Sequence, residues 1–170
     1  NFVSKVNEHG KLSKPRPVHL GLKDLKKILP ILLRELSKED RDIKLNLELE
    51  DISVKWDLDQ VRQLFKNLME NSIKYGFNKF DGDATIDITI NNPAENKDKI
   101  IITYANSGNP VSCSEKEYWT EFNTSNKQIG SGLGMSIIKE IIGQHKGSAK
   151  LLPESFESGH KIEIILPREI

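Results

Sequence analysis

Two kinds of hydrophobic periodicity follow one another irregularly along this chain, and their order constrains the fold more than any other feature. Apolar residues recur at helical spacing over 22–36, 61–72 and 135–142. Strand patterns occupy 43–49, 52–56, 84–90, 100–102, 149–152 and 162–166. Because helices and strands do not alternate one to one, we expect a two-layer α/β sandwich rather than a doubly wound fold. Its sheet should be mixed, mainly antiparallel, and packed against about three helices.

Two local features can be specified further. Asp57, followed three positions later by Gln60, has the form of a helix N-cap with a reciprocal partner. The helix that it begins should end near Gly76. The strand patterns 43–49 and 52–56 are separated by a short polar break, which predicts a hairpin.

Length and charge narrow the class of protein. A chain of 170 residues with 36% hydrophobic content suffices for one domain with a full core. Its formal net charge of zero offers no basic field for nucleic acid or for an anionic membrane. No apolar run approaches the roughly 20 residues that span a bilayer. The single cysteine, Cys113, excludes an internal disulfide and a cysteine-based zinc site, and favours a reducing, cytoplasmic location.

Four polar residues share one stripe of the helix that follows Asp57. Asn67, Asn71, Lys74 and Tyr75 are spaced i, i+4, i+7 and i+8, beside the apolar face. The stripe is either the solvated side of an amphipathic helix or a binding site. Two asparagines are poor helix formers, and propensity does not explain them easily.

A glycine-rich segment lies about fifty residues further on. It reads Gly130-Ser131-Gly132-Leu133-Gly134-Met135 and leads directly into the last helix. Such a loop presents unpaired N–H groups and the positive end of a helix dipole, which suit a polyphosphate, although loops that precede helices often contain glycine for other reasons. The upstream asparagines offer neutral oxygen ligands for magnesium, so the two features together suggest an ATP site.

The order of these features is more specific than any one of them. The asparagine helix is followed by a buried strand that leads to Asn106-Ser107-Gly108, then by a long irregular segment, then by the glycine-rich segment. From about Val18 onward the chain resembles the ATP-binding catalytic domain of bacterial sensor histidine kinases, in the superfamily of gyrase, Hsp90 and MutL. The resemblance implies ATP and Mg²⁺ as cofactors and a lid over about 106–131.

The resemblance also implies roles for individual residues. Asn71 matches the magnesium ligand, and Asn67, Lys74 and Tyr75 match residues that line the phosphate and adenine region, with Asn67 and Lys74 closest to the chemistry. The lid and the second glycine box contribute the remaining candidates, which are Phe122, Thr124, Lys127, Gly130, Gly132, Leu133 and Gly134.

The chain departs from the family at the first glycine box. The family normally has an Asp there that accepts from the adenine amino group, whereas this chain has Asn106, with Gly108 two positions later and Pro110 in place of a second Gly. An Asn carbonyl oxygen still accepts, but without the charge-assisted part of the bond. Asn106 and Gly108 are candidate adenine contacts, and the alternative is that Asn106 is a turn residue.

The phosphoryl acceptor is expected elsewhere. In sensor kinases a histidine on a separate dimerisation domain receives the γ-phosphoryl group, in a motif where an acidic residue follows it. None of the four histidines, His9, His19, His145 and His160, precedes an acidic residue. We therefore expect 1–14 to be a connector from a dimerisation and phosphoacceptor domain absent from this chain, and 15–170 to be the ATP-binding domain. The resemblance further implies a homodimeric parent protein, possible membrane attachment outside this domain, and a response regulator as partner.

Three function classes stay open from the sequence. The first is the kinase domain, and the second is a degenerate interaction domain of the same fold, kept open by Asn106 and Pro110. The third is an ATP-hydrolysing switch, which typically has a general-base Glu one turn before the magnesium Asn. That position is Asn67, and the neighbouring Glu70 lies about 100° round the helix from Asn71, so the third class is disfavoured.

Overall fold

The structure is a computed structural model that describes residues 12–38, 41–119 and 133–170. The strands in these ranges are β1 (Val18–Gly21), β2 (Ile43–Leu49), β3 (Ser53–Trp56), β4 (Ala84–Asn91), β5 (Lys99–Asn106), β6 (Ser148–Leu151) and β7 (His160–Pro167). The α-helices are α1 (Leu22–Ser37), α2 (Leu58–Asn71), α3 (Glu115–Tyr118) and α4 (Leu133–Gln144). A π-helix, Ser72–Gly76, continues α2, and Pro153–Phe156 is a 3₁₀ turn.

Five strands form one mixed sheet in the order β2-β4-β5-β7-β6. Only the β2–β4 pair is parallel, and the other three pairs are antiparallel. Helix α2 packs against both α1 and α4, and residues of these helices share one hydrophobic core with the sheet. The predicted two-layer α/β sandwich is therefore confirmed.

The predicted hairpin between the second and third strand patterns is wrong. Strand β2 pairs with β4, with Ile43 opposite Ala84, whereas β3 pairs with β1 in a separate two-stranded sheet, with Val54 opposite Leu20. Alternation specifies which face of a strand is buried but not which strand lies beside it.

The N-terminus of α2 is capped as predicted, without the reciprocal bond. Asp57 Oδ1 accepts from the Gln60 backbone N–H at 3.0 Å. The Gln60 side chain instead donates to the Ser13 carbonyl and to Gln144 Oε1, and the Asp57 N–H donates to His145 Nε2 at 3.3 Å. The start of α2 is thus tied to the chain before β1 and to the C-terminal end of α4.

The core explains why the middle strands form. Ala84, Ile86, Ile88 and Ile90 of β4 alternate with more exposed residues, and all four are buried. Burying an aliphatic side chain as large as isoleucine contributes about 1.5–3 kcal/mol.

Over the described ranges, the structure contains no helix that is both long and apolar enough to cross a membrane.

Candidate functional site

The C-terminal end of α2 changes its helical geometry where the polar stripe was predicted. In the π-helix Ser72–Gly76, the Phe77 N–H donates to the Ser72 carbonyl at 2.9 Å, an i to i+5 bond. A π-turn is wider than an α-turn. The i, i+4, i+7, i+8 spacing of the predicted stripe assumes a continuous α-helix, so it applies only as far as Asn71. Lys74 is exposed and Tyr75 is half-buried, and burial raises the pKa of the Tyr75 phenol.

Asn71 lies where α2 meets the first turns of α4. Its Nδ2 is 3.0 Å from the Sδ of Met135, a residue 64 positions later in the chain. Asn67, one turn earlier, is buried, and its Oδ1 accepts from Gln63 Nε2 at 3.0 Å. The asparagine helix and the helix that follows the glycine-rich segment therefore touch through Asn71.

The segment after β5 packs on the π-helix. The Asn109 N–H donates to the Gly76 carbonyl at 2.8 Å, and its side chain donates to the Tyr75 carbonyl at 2.9 Å. Gly108 has φ +110°, and a Cβ there would lie 2.1 Å from the Gly76 carbonyl oxygen. Only glycine suits both the backbone conformation and this close approach.

Asn106 lies at the end of β5, buried against the same π-helix. Its Oδ1 accepts from the Ser72 hydroxyl at 2.8 Å, and its Nδ2 donates to the Ser107 carbonyl at 2.7 Å. The Ser72 hydroxyl is also 2.6 Å from the hydroxyl of the fully buried Tyr104. Burial raises the pKa of the Tyr104 phenol, which keeps it neutral.

Helix α3 borders Asn106 on the side of β7 and was not anticipated, since its region was predicted to be irregular. A capping box between Ser114 and Glu117 begins it, and the Leu151 N–H donates to Glu115 Oε1 at 2.9 Å. The Tyr118 hydroxyl contacts His160 Nε2 at 2.6 Å. His160 pairs with Asn106 across β5 and β7, so α3 is tethered beside the end of β5.

The remaining predicted residues belong to the lid and the glycine-rich segment. Phe122, Thr124, Lys127, Gly130 and Gly132 lie outside the described residues. Leu133 and Gly134 form the first turn of α4, as expected for a glycine segment that leads into a helix. The structure thus brings Asn71, Asn106, Gly108 and the beginning of α4 to one end of α2, whereas Lys74 points into solvent.

Sequence reasoning missed the polar residues that surround Asn106. Ser72 was included in the apolar-periodic stretch 61–72, and Tyr104 was not singled out within a buried strand. A serine on an apolar face, together with a tyrosine and an asparagine in one buried strand, is a signal that could have predicted the network, because buried hydroxyls need partners.

Comparison with known proteins identifies the class of this domain as an ATPase-type domain. Residues 56–170 match the family described as histidine kinase-, DNA gyrase B- and HSP90-like ATPase. The chain belongs to this family, and the match begins immediately before α2.

Two curated proteins to which the chain is similar are histidine or sensor kinases. The chain is 34% identical over 137 residues to the signal transduction histidine-protein kinase BaeS of Escherichia coli K12, covering 76% of this chain and 27% of that protein. It is 30% identical over 142 residues to the sensor protein kinase WalK of Staphylococcus aureus, covering 80% and 33%. The chain therefore spans about a quarter to a third of the length of these relatives.

Solved structures show the same architecture. The catalytic domain of histidine kinase ThkA superposes with a TM-score of 0.69 at 25% identity, over 91% of this chain and 97% of that one. The mycobacterial sensor histidine kinase MprB gives a TM-score of 0.71 at 18% identity, over 91% and 98%, which supports the fold alone.

Proposed function

We propose that this chain binds ATP with Mg²⁺ and acts as the kinase domain of a two-component sensor histidine kinase, with the γ-phosphoryl group passing to a histidine on a separate dimerisation domain. The observation that carries the proposal is the 3.0 Å contact between Asn71 and Met135. Through it, the asparagine motif and the helix after the glycine-rich segment meet, although they were predicted from parts of the sequence about sixty residues apart.

The donor set at Asn71 fits a magnesium ion held mainly by phosphate oxygens. The Asn71 amide nitrogen faces Met135, so its Oδ1 is the atom with lone pairs to offer a hard cation. Among the residues that the structure describes, no group of three or more His, Cys, Asp or Glu side chains is placed to bind a metal. When bound, Mg²⁺ would neutralise charge on the transferring phosphoryl group.

The other residues of the chain then have positioning roles. The first turn of α4, with Leu133 and Gly134, directs backbone N–H groups and the helix dipole toward the phosphates. Asn106 and Gly108 form the wall for the base, and Tyr75 adds an aromatic face. Lys74, together with Lys127, is the proposed source of positive charge near the phosphates, and the exposure of Lys74 leaves its side chain able to reach them.

The relatives support the proposed partners and location. BaeS and WalK are sensor kinases, which supports a dimerisation and phosphoacceptor domain, a homodimeric parent protein in the cytoplasm or at its membrane, and a response regulator. The proposed connector 1–14 would lead from that domain, and its described end is bound by α4, since the Leu12 N–H donates to Glu140 Oε1 at 3.0 Å. The balanced charge argues against nucleic acid as a partner.

The hydrolytic switch is disfavoured by the same geometry. Asn67 stands one turn before Asn71, where a general-base Glu would be needed, and it is buried and bonded to Gln63. Glu70 is engaged with Lys66 at 4.0 Å on another side of the helix. The degenerate interaction domain is favoured by two features of the first glycine box, namely the uncharged Asn106 and Pro110 in place of a second glycine.

Calorimetric titration of this chain with AMP-PNP, with and without Mg²⁺, tests the proposal. Magnesium-dependent binding is expected, and full-length parent protein should then form an acid-labile phosphohistidine from γ-labelled ATP. No binding up to millimolar AMP-PNP would favour the degenerate domain. Binding of AMP-PNP together with release of phosphate from ATP to water, with no phosphohistidine, would favour the hydrolytic switch.

A further inference from the structure

Three buried polar side chains form one hydrogen-bonded line that ends at Asn106, a residue of the proposed base wall. The Tyr104 hydroxyl is 2.6 Å from the Ser72 hydroxyl, which is 2.8 Å from Asn106 Oδ1. Tyr104, Ser72 and Asn106 are exposed by only 0%, 2% and 5%. Buried polar groups on three separate residues are costly unless each is satisfied, so their arrangement specifies a geometry.

Counting protons fixes the direction of this line. Tyr104 is a neutral phenol in this environment and can donate its one proton to Ser72. Ser72 has a single O–H, and its two acceptors are Asn106 Oδ1 at 2.8 Å and the Leu68 carbonyl at 3.1 Å. The Ser107 carbonyl can only accept, so Asn106 turns its Nδ2 to Ser107 and its Oδ1 to Ser72, and the Ser72 hydroxyl is the donor in the 2.8 Å contact.

The other end of the Asn106 amide is fixed independently. Its Nδ2 donates to the Ser107 carbonyl oxygen at 2.7 Å. An Asp in the same orientation would place a carboxylate oxygen at that distance from the carbonyl oxygen, where two acceptors repel each other. The surroundings of residue 106 are therefore complementary to an amide and not to a carboxylate.

We propose that Ser72 and Tyr104 are positioning residues that lock the Asn106 amide in one orientation, so that the site selects 6-amino purine nucleotides over 6-oxo purine nucleotides through a neutral amide. The inference rests on the proposed nucleotide binding. After its two internal bonds, the amide retains one acceptor lone pair and one donor N–H. Adenine offers a donor beside an acceptor and matches this pair, whereas a 6-oxo purine reverses the pattern and would need a flipped amide.

Titrations of Ser72→Ala, Tyr104→Phe and Asn106→Asp with AMP-PNP and GMP-PNP test the inference. The wild type should prefer AMP-PNP. Ser72→Ala removes the bond to Asn106 Oδ1, and Tyr104→Phe leaves the Ser72 hydroxyl free to turn away, so the amide is then held mainly by the Ser107 carbonyl. Each variant should reduce the preference about tenfold, a change equivalent to one hydrogen bond. Asn106→Asp should bind AMP-PNP at least about tenfold more weakly than the wild type, since the repulsion from Ser107 displaces the side chain.

Ser155→Ala is the matched control for lost stability. Ser155 is also fully buried, and its hydroxyl makes two bonds, from the Lys161 N–H at 2.7 Å and to the Lys161 carbonyl at 2.9 Å. This variant should unfold at a lower temperature while the ratio of the two affinities stays at the wild-type value. A drop in that ratio equal to the one in Ser72→Ala would overturn a specific role for Ser72.

Two results contradict the inference directly. Asn106→Asp that binds AMP-PNP as tightly as the wild type, or more tightly, would show that the site accepts a carboxylate. Full preference for AMP-PNP over GMP-PNP in Ser72→Ala would show that Ser72 is not needed to hold the amide.

If the wild type binds neither analogue, the proposed function fails and base selection fails with it. Thermal unfolding of Asn106→Asp then tests the amide geometry separately, since a stability equal to the wild type would refute it.

Discussion

The Tyr118 hydroxyl lies 2.6 Å from His160 Nε2, in a partly buried contact that joins α3 to the first residue of β7. The ring of Tyr104 stands edge-on to His160, with centroids 6.4 Å apart. Burial among these groups lowers the pKa of His160 to about 4. His160 is thus a neutral structural partner of α3 at neutral pH.

The low pKa of His160 makes folding dependent on pH. Its unfolded pKa is 6.5 and its folded pKa is about 4, so the unfolded chain takes up the proton first as the pH falls. We expect this group alone to remove roughly 3 kcal/mol of unfolding free energy between pH 6.5 and pH 4, at about 1.36 kcal/mol per pKa unit. Urea unfolding across this range measures the loss.

His160→Gln isolates this contribution. A glutamine amide can still meet the Tyr118 hydroxyl but does not titrate. Burial also lowers the pKa of His145, so some slope should persist in the variant. Stability curves of wild type and variant that run parallel from pH 6.5 to pH 4 would contradict the prediction.

Asn71→Ala should abolish magnesium-dependent binding of AMP-PNP while the fold stays intact. Asn71 is half-buried at the end of α2, outside the hydrophobic core, and its side-chain amide makes a weak contact with the Met135 sulfur. Asn46→Ala is the control, because Asn46 is an exposed asparagine on β2 that is bonded to Asp87. Unchanged affinity of Asn71→Ala in calorimetry would remove Asn71 from the site.

The part of the fold that could be predicted is the part that depends on side-chain periodicity. Ile86, Ile88 and Ile90 of β4 recur at every second position, so this strand and its buried face were evident, and the apolar run at 100–102 marked β5 as a buried strand. The parallel β2–β4 pair was missed because pairing depends on contacts between residues about forty positions apart, such as Ile43 with Ala84, which no local pattern contains.

The candidate site divides in the same way. The motifs that carry Asn71 and Gly108 were evident because their residue types are unusual for a helix and a strand end. The partners of Asn106 were missed because Ser72 and Tyr104 gain their meaning only from the π-turn and the packing of β5 against it. Local propensity does not predict a π-turn, which tertiary contacts stabilise.

Gly108→Ala should be among the most destabilising substitutions in the chain. The new Cβ would meet the Gly76 carbonyl oxygen at 2.1 Å, on a backbone with φ +110°. We expect a loss of about 3 kcal/mol or more, from strain and from displacement of the π-helix. Chemical denaturation measures it.

Gly143→Ala is the opposite case. Gly143 lies in α4, and nothing approaches within 4 Å of an added Cβ, so the variant should gain about 0.5–1 kcal/mol from helix propensity. Equal unfolding free energies for the two alanine variants would refute the close approach of Gly108 to the π-helix.

Asp57 joins the start of α2 to the chain before β1, and two variants separate its bonds. Oδ1 accepts from the Gln60 N–H at 3.0 Å and Oδ2 from the Arg16 N–H at 2.7 Å. Asp57→Ala loses both and should cost about 1–2 kcal/mol, as loss of an N-cap does. Asp57→Asn has one acceptor oxygen and can keep only one bond, so its stability should lie between wild type and Asp57→Ala. Hydrogen exchange at Arg16 and Gln60 shows which bond survives, and slow exchange at both amides in Asp57→Asn would exclude the two-oxygen arrangement.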